Sequence, residues 1–587
     1  MLCAISLLFV AAAGPNLLTD PSFENGLAHW EQAGPPARVE SVQVDGRSAA
    51  RIVVPDGAPV AWPSIAQRVP VAPGDLLEGA ADVLARDIHD GFGAYLAVEF
   101  HDAAGQRLSF GQSRGLRPEP EWNALSVRAV APEHAVSARL CLILNGRGEA
   151  QFDNARLMRL GNVLPEPLEG DVQITVTAEI VCDRLVGFGA EDDGWFYAPE
   201  NLDRGIGADD IALREKRIAW LDPDWIRMFF WYKDWNPSGD WTTFTFDSPN
   251  MQSHCRTLAL YQRIGAAVNV TGVEWGVSDP FGHPAEMAAA IGALLEHLIK
   301  ERGFTCVRQW TLTNEPNSHF VQLGYPFERY VELHRLVKAE CARRGLDVKI
   351  TGSDDTGGFE WFQACVSNDA YFEAADLFAS HRYFPYADRI LAPYFFEDRL
   401  NALAERPPAK PFVVAELGFQ DHRSGTFANP IMEDYPYALW TCAFILDGLN
   451  RGVAGFSIWC MHEVYYPGGS LMNYGLWNYR DRGWGIRPVY HALGCFTRMT
   501  EAGDPVRKCV SSHPAHASAA VVRDVVFWVN QADREVPLVF SAALAGPATA
   551  YTRDTVTADD SLGMEVPVRQ NRFVAPPQSF GYLRLEN

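Results

Sequence analysis

Between residues 183 and 500, short apolar runs alternate with stretches whose apolar positions recur every three to four residues. The runs are RLVGFGA (184–190), WIRMFFWY (225–232), AAVNVTGVEW (266–275), VRQWTLT (307–313), VKITGSD (348–354), DLFASHRYF (376–384), PFVVAEL (411–417) and VAGFSIWCM (453–461). Near-continuous apolar runs of this length suit strands covered on both faces, as in a parallel sheet. Between them, PAEMAAAIGALLEHLIKERG (284–303) and PFERYVELHRLVKAECARRG (326–345) have helical periodicity and close on glycine, the residue that takes a left-handed cap without a Cβ clash. Repeated strand-then-helix units of this kind predict a (β/α)8 TIM barrel. An open, doubly wound sheet is the alternative, but no GxGxxG phosphate loop follows the first run.

The flanks have a different texture. Residues 16–160 show period-two alternation, as in AYLAVEFHD (94–102) and ARLCLILNG (138–146), broken by Gly, Pro and Asp turns. That pattern predicts a β-sandwich (jelly-roll) module. A linker rich in Pro and acids, NVLPEPLEGD (162–171), leads to a lone strand, QITVTAEIV (173–181). Residues 501–587 return to strands (521–531, 536–544 and 579–586) and predict a small C-terminal β-sandwich, which the segment 161–182 joins. The apolar LCAISLLFVAAAG at the start is too short to span a bilayer and ends in small residues, so residues 1–15 read as a secretory signal and the protein as secreted or periplasmic.

Composition narrows the partners. The formal charge is 50 − 73 = −23, which repels a phosphate backbone and argues against nucleic acid. No other segment reads as membrane-spanning. Eleven scattered cysteines without a CxxC pair read as buried thiols, and neither HExxH nor a Cys/His zinc spacing occurs, so no catalytic cofactor is expected.

The chemistry lies at the strand ends, which converge on one mouth in a barrel. The fourth run ends in Thr313-Asn314-Glu315-Pro316-Asn317 and the seventh in Ala415-Glu416-Leu417-Gly418. Two carboxyls facing each other from these strands have the arrangement that retaining glycoside hydrolysis needs, about 5–5.5 Å apart. Asn-Glu-Pro alone is also an ordinary helix start, and a lone strand-end Glu an ordinary solvated acid; the coincidence of both with the fourth and seventh strands is what carries weight.

Here the barrel resembles clan A of the glycoside hydrolases, with families 39, 30 and 5. TLTNEPN lies near the family 39 pattern and GFGAEDD (187–193) near that of family 30. The resemblance implies Glu315 as acid/base, Glu416 as nucleophile and Asn314 as a contact to the sugar 2-hydroxyl. It also implies Arg227 beside the nucleophile, where a cation lowers a carboxyl pKa. His381 and Tyr383 share one face of the sixth strand, and Tyr383 is the preferred hydrogen-bond donor to Glu416. Trp459 is expected as the floor beneath the sugar, and Asp193, Trp195 and Trp275 as further substrate contacts. The N-terminal motifs NLLTDPSFENGLAHW (16–30), GAYLAVEFHDAAGQRL (93–108) and AQFDNARLMRL (150–160) resemble carbohydrate-binding modules of the family 4/9 type. That implies a structural Ca2+ with Glu24 and Asp153 as ligands, the alternative being two solvated turn acids, and stacking surfaces among Trp30, Trp62 and Trp122, with core packing the default for Trp30.

The expected function is therefore retaining cleavage of β-glycosidic bonds in an oligo- or polysaccharide. The alternative is a non-catalytic carbohydrate-binding protein on a barrel scaffold. A third reading, a GxSxG nucleophile elbow at Gly111–Gly115, fails because LRPEPEW follows and its prolines exclude the helix an elbow requires. Sugar identity, linkage and exo or endo action stay open.

Overall fold

The structure, a computed structural model, describes residues 15–34, 37–118 and 121–586. The expected leader lies outside the described residues, apart from its last position. The chain divides between Glu166 and Pro167 into two compact units, inside the Pro-rich stretch read as a linker.

In the N-terminal unit eight strands form one hydrogen-bonded antiparallel sheet. Two long strands, Asp75–His101 and Ser137–Asn162, run through its centre. Register shifts between Arg86 and Gly93 bend the first of them. Alternate side chains such as Ile52, Leu96, Leu140 and Phe152 meet in one apolar core, which also takes Phe23 and Trp30. Ser113 is buried, accepts from the Leu96 N–H and donates to the Arg114 carbonyl, and no helix follows it; the GxSxG match is structural.

In the second unit, eight parallel strands make the barrel: β1 Gly187–Ala190, β2 Trp225–Trp231, β3 Ala267–Val273, β4 Val307–Thr311, β5 Lys349–Thr356, β6 Leu377–Pro385, β7 Phe412–Gln420 and β8 Gly455–Ile458. They pair in the order β1-β8-β7-β6-β5-β4-β3-β2, and a parallel bridge from Glu191 to Arg227 joins β1 to β2. Each expected run holds one strand. The two helices read from the sequence span Pro284–Glu296, continued by a π-helical turn at His297–Glu301, and Phe327–Arg343. Gly303 and Gly345 follow them at φ 75° and 62°.

The strand Val172–Cys182 pairs antiparallel with Val506–Ser511 and parallel with Val536–Phe540, within a nine-stranded C-terminal sheet. Among the described residues the ten cysteines are free thiols, nine buried and Cys182 half-buried. No described helix is long and apolar enough to cross a membrane.

Candidate active site

Glu315 and Glu416 open onto one cavity of about 920 Å3 at the C-terminal end of the barrel strands. Phe229, Trp275, Trp459, Tyr466 and Tyr474 supply its aromatic wall, and Asn314, Arg382, Tyr383 and Gln420 most of its polar groups. That volume and mixture suit a small organic ligand held by a few directed polar groups.

Glu416, on β7, is 5% exposed. Its Oε1 accepts from Arg227 Nη1 at 2.6 Å and its Oε2 from the Tyr383 hydroxyl at 2.9 Å. Arg227 is fully buried on β2 and fans out further: Nη2 donates to Asn314 Oδ1 at 2.7 Å and to Asp354 Oδ2 at 2.8 Å. Since its Oδ1 is taken, Asn314 presents its amide N–H groups as the free donors.

Burial pushes the Glu416 carboxyl up, while His381 and Arg227 pull it down; the net direction is upward. The sequence reading had Arg227 setting the direction. The arginine does act downwards, but loss of solvent outweighs it.

His381 joins the two carboxyls. Its Nδ1 donates to Glu315 Oε1 at 3.0 Å and its Nε2 to Asp354 Oδ1 at 3.1 Å. Burial alone would lower this imidazole, but Glu416 and Asp354 outweigh burial and raise it to about 10. It is therefore an imidazolium at neutral pH, with both nitrogens donating. One oxygen of Glu315, one of Glu416 and a nitrogen of His381 lie within 4.8 Å of one another. Such a triad has the residue types of a metal site, but an imidazolium has no lone pair to offer an ion.

Glu315 is the more open acid, its side chain 27% exposed. It sits just beyond β4 with φ 46°, and Ser353 and Asp354 near the end of β5 have φ 57° and 51°. Left-handed backbone at non-glycine residues costs energy and gathers where a side chain must be aimed. Two ties hold this corner. The Asn317 amide bonds the backbone of Thr356 in both directions, at 2.7 and 3.0 Å, and Thr313 Oγ1 donates to buried Glu274 at 2.5 Å.

Of the remaining expected residues, Trp275 and Trp459 line the cavity. Asp193 and Trp195 do not. Trp195 is wholly buried, donates its indole N–H to Asp234 and packs against Tyr466, one layer behind the wall. Asp193 is buried too: both its oxygens, and Oε2 of Glu191, lack a well-formed hydrogen bond, although the Tyr466 hydroxyl acts on Asp193. Burial pushes both carboxyls well up. Asp192, between them, goes the other way, because Arg214 and His462 outweigh its burial.

Asp354, Tyr466, Tyr474 and Gln420 were not singled out from the sequence. Asp354 had a signal, since it ends the fifth apolar run.

In the N-terminal unit, Glu24 accepts from the Ser48 hydroxyl at 3.2 Å, while Arg47 Nη1 stands 3.8 Å from Asp153 and 3.3 Å from Asp82. As arranged, these acids fit a guanidinium better than a calcium ion, which would have to displace Arg47. Trp30 packs on Phe23 in the core, Trp122 lies under Arg47, and Trp62 is 66% exposed.

No family model and no curated protein matches this sequence. Solved structures do match in fold. The catalytic domain of GH30 xylanase C from Talaromyces cellulolyticus aligns at TM-score 0.53 and 12% identity, over 71% of this chain and 100% of that one. SrfJ from Salmonella typhimurium aligns at 0.52 and 14%, over 74% and 96%. An endo-β-1,6-glucanase aligns at 0.51 and 12%, over 84% and 100%. At these identities the likeness speaks for the fold alone: the chain shares the barrel architecture of these structures.

Proposed function

We propose that this protein is a retaining β-glycoside hydrolase of the clan A type, acting by double displacement on an oligo- or polysaccharide outside the cytoplasm. The observation that carries the reading is that an oxygen of Glu315 and an oxygen of Glu416 come within 4.8 Å of each other at one cavity wall. An inverting pair would need roughly 6.5–9.5 Å to admit water between the carboxyls.

His381 occupies Oε1 of Glu315, so the catalytic proton of that acid sits on Oε2. From there it passes to the glycosidic oxygen as that bond breaks. Ionised Glu416 attacks the anomeric carbon and forms a glycosyl-enzyme. Arg227 and Tyr383 fix both its oxygens for the attack, so little reorganisation is needed. Asn314 donates to the 2-hydroxyl, a contact that tightens as positive charge grows on the ring. Glu315, now a carboxylate, takes a proton from water, and the resulting hydroxide equivalent releases the sugar and restores Glu416. No cofactor enters this cycle. The N-terminal unit, with Trp62 exposed, fits the role of a carbohydrate-binding module.

The reading is tested by incubation with 2-deoxy-2-fluoro-β-glycosyl fluorides followed by peptide mass spectrometry. A glycosyl adduct on Glu416 is expected. Turnover of glycosides with the adduct on a different residue would overturn the assignment, and saccharide binding with neither turnover nor adduct would mark a non-catalytic binder.

A further inference from the structure

Five arginines of the second unit are buried, and each has a carboxylate: Arg214 with Asp192, Arg217 with Asp559, Arg227 with Asp354 and Glu416, Arg399 with Asp355, and Arg487 with Glu463. That is the rule for guanidinium groups withdrawn from water, because an unpaired one costs several kcal/mol.

Arg382 is half-buried and has no ion pair of this kind among the described residues. It lies on β6 between His381 and Tyr383 and lines the cavity. Among the described residues its one hydrogen bond is long, 3.5 Å from Nη1 to the Gly357 carbonyl. Its Nε is buried without an acceptor, and its guanidinium stands 4.4 Å over the Phe384 ring. Neighbouring Arg399 repels it while being satisfied itself by Asp355, Ser380 and the Gly358 carbonyl. Burial and Arg399 together lower the Arg382 guanidinium to about 10, against a smaller upward pull from Asp388. It still carries its charge at neutral pH.

The position of Arg382 gives its purpose. Under the proposed mechanism Glu315 must touch the glycosidic oxygen, so the sugar that departs lies beyond Glu315. The wall there comes from the ends of β5 and β6 and includes Thr356, Gly357 and Arg382. The aromatic wall with Trp275, Trp459 and Tyr466 is left for the sugar that becomes bound to Glu416.

We propose that Arg382 receives an anionic substituent, a carboxylate or a sulfate, on the leaving-group side of the saccharide, so that the preferred substrate is an acidic glycan. Nη2 makes no hydrogen bond to a described residue, and a planar guanidinium matches either anion closely. The substrate then supplies to this half-buried arginine the charge partner that the protein provides for each buried arginine named above. This inference rests on Glu315 being the acid.

The experiment compares kcat/KM on three forms of one backbone that the enzyme cleaves: unsubstituted, uronate-bearing and sulfate-bearing. Wild type is expected to prefer an acidic form, and which of the two it prefers names the anion. In R382M the acidic-to-neutral ratio is expected to fall about 10- to 100-fold, the weight of a charge-assisted hydrogen bond, with partial recovery in R382K. Should R382M fail to fold, R382K and the wild-type preference decide. Equal wild-type rates on all three forms, or a ratio that R382M leaves unchanged, would overturn the inference and leave the hydrolase reading intact. Failure to cleave any glycan, neutral or acidic, removes that reading and this inference with it.

Discussion

Two groups of carboxylates sit at the mouth of the barrel, and they differ in what surrounds them rather than in depth. Glu416 at β7 and the pair Glu191 and Asp193 beyond β1 are all buried, and burial pushes all three carboxyls up. Glu416 meets Arg227 and Tyr383 on its two oxygens, with His381 Nδ1 3.5 Å away. Three oxygens of the β1 pair lack a well-formed hydrogen bond, with only the Tyr466 hydroxyl and the partner acid acting on Asp193. Burial pushes each of these carboxyls up, and the cations and donors around an acid decide how far that push is offset, as Asp192 shows by shifting down beside Arg214 and His462. Under the proposed mechanism Glu416 is the nucleophile, while the β1 pair, its carboxyls pushed up by burial, stands behind the wall.

The comparison is broken most severely at Glu416. Glu416→Ala should lower kcat by roughly four to six orders of magnitude while circular dichroism stays native, as expected for loss of an attacking group. Glu315→Ala should cost less, about 10²- to 10⁴-fold on poor leaving groups, and the deficit should shrink for activated aryl leaving groups that need no acid. Near-normal activity of a folded Glu416→Ala protein would refute the nucleophile.

A milder change removes one donor. Tyr383→Phe leaves Glu416 Oε2 without its hydroxyl partner, which disfavours the ionised form. The acidic limb of the kcat/KM profile should move to higher pH, with a drop of about tenfold at the optimum. An unmoved limb would mean that Tyr383 does not tune Glu416.

The smallest effect belongs to the β1 pair and is read on stability. These carboxyls are raised in the folded state, so above the ordinary carboxylate range the folded chain binds more protons than the unfolded one. Their contribution is fully present at low pH and is lost as pH rises. Asp193→Asn removes one ionisation, so it should stabilise the protein by roughly 1–2 kcal/mol at pH 8 and by almost nothing at pH 4. Thermal melts at the two pH values check this, and a larger gain at the acidic end would contradict it.

Much of this was legible in the sequence, and the reasons are physical. The barrel strands are buried on both faces and therefore written as apolar runs, and a barrel brings strand ends together, so the fourth and seventh pointed to Glu315 and Glu416. Asp354 was missed because the register shift between Ser353 and Asp355, with left-handed φ at Ser353 and at Asp354 itself, turns the acid in a way that period-two alternation does not express. Trp195 was misjudged because a tryptophan that stacks on sugar and one that packs behind the wall leave the same letter. Arg382 drew no notice, since its distinction is the lack of an ion pair among the described residues, with Asp388 acting only from a distance, and only coordinates reveal that. The pKa direction of Glu416 needed the degree of burial, a tertiary quantity.

Double displacement requires a covalent bond between Glu416 and the sugar. Proton NMR of the first product released from a β-glycoside, recorded before mutarotation, reports on it most directly. Double displacement predicts the β-anomer at early times, with the α-anomer growing in later. Early appearance of the α-anomer would mean a single displacement by water, and Glu315 and Glu416 would then not hold the roles assigned to them.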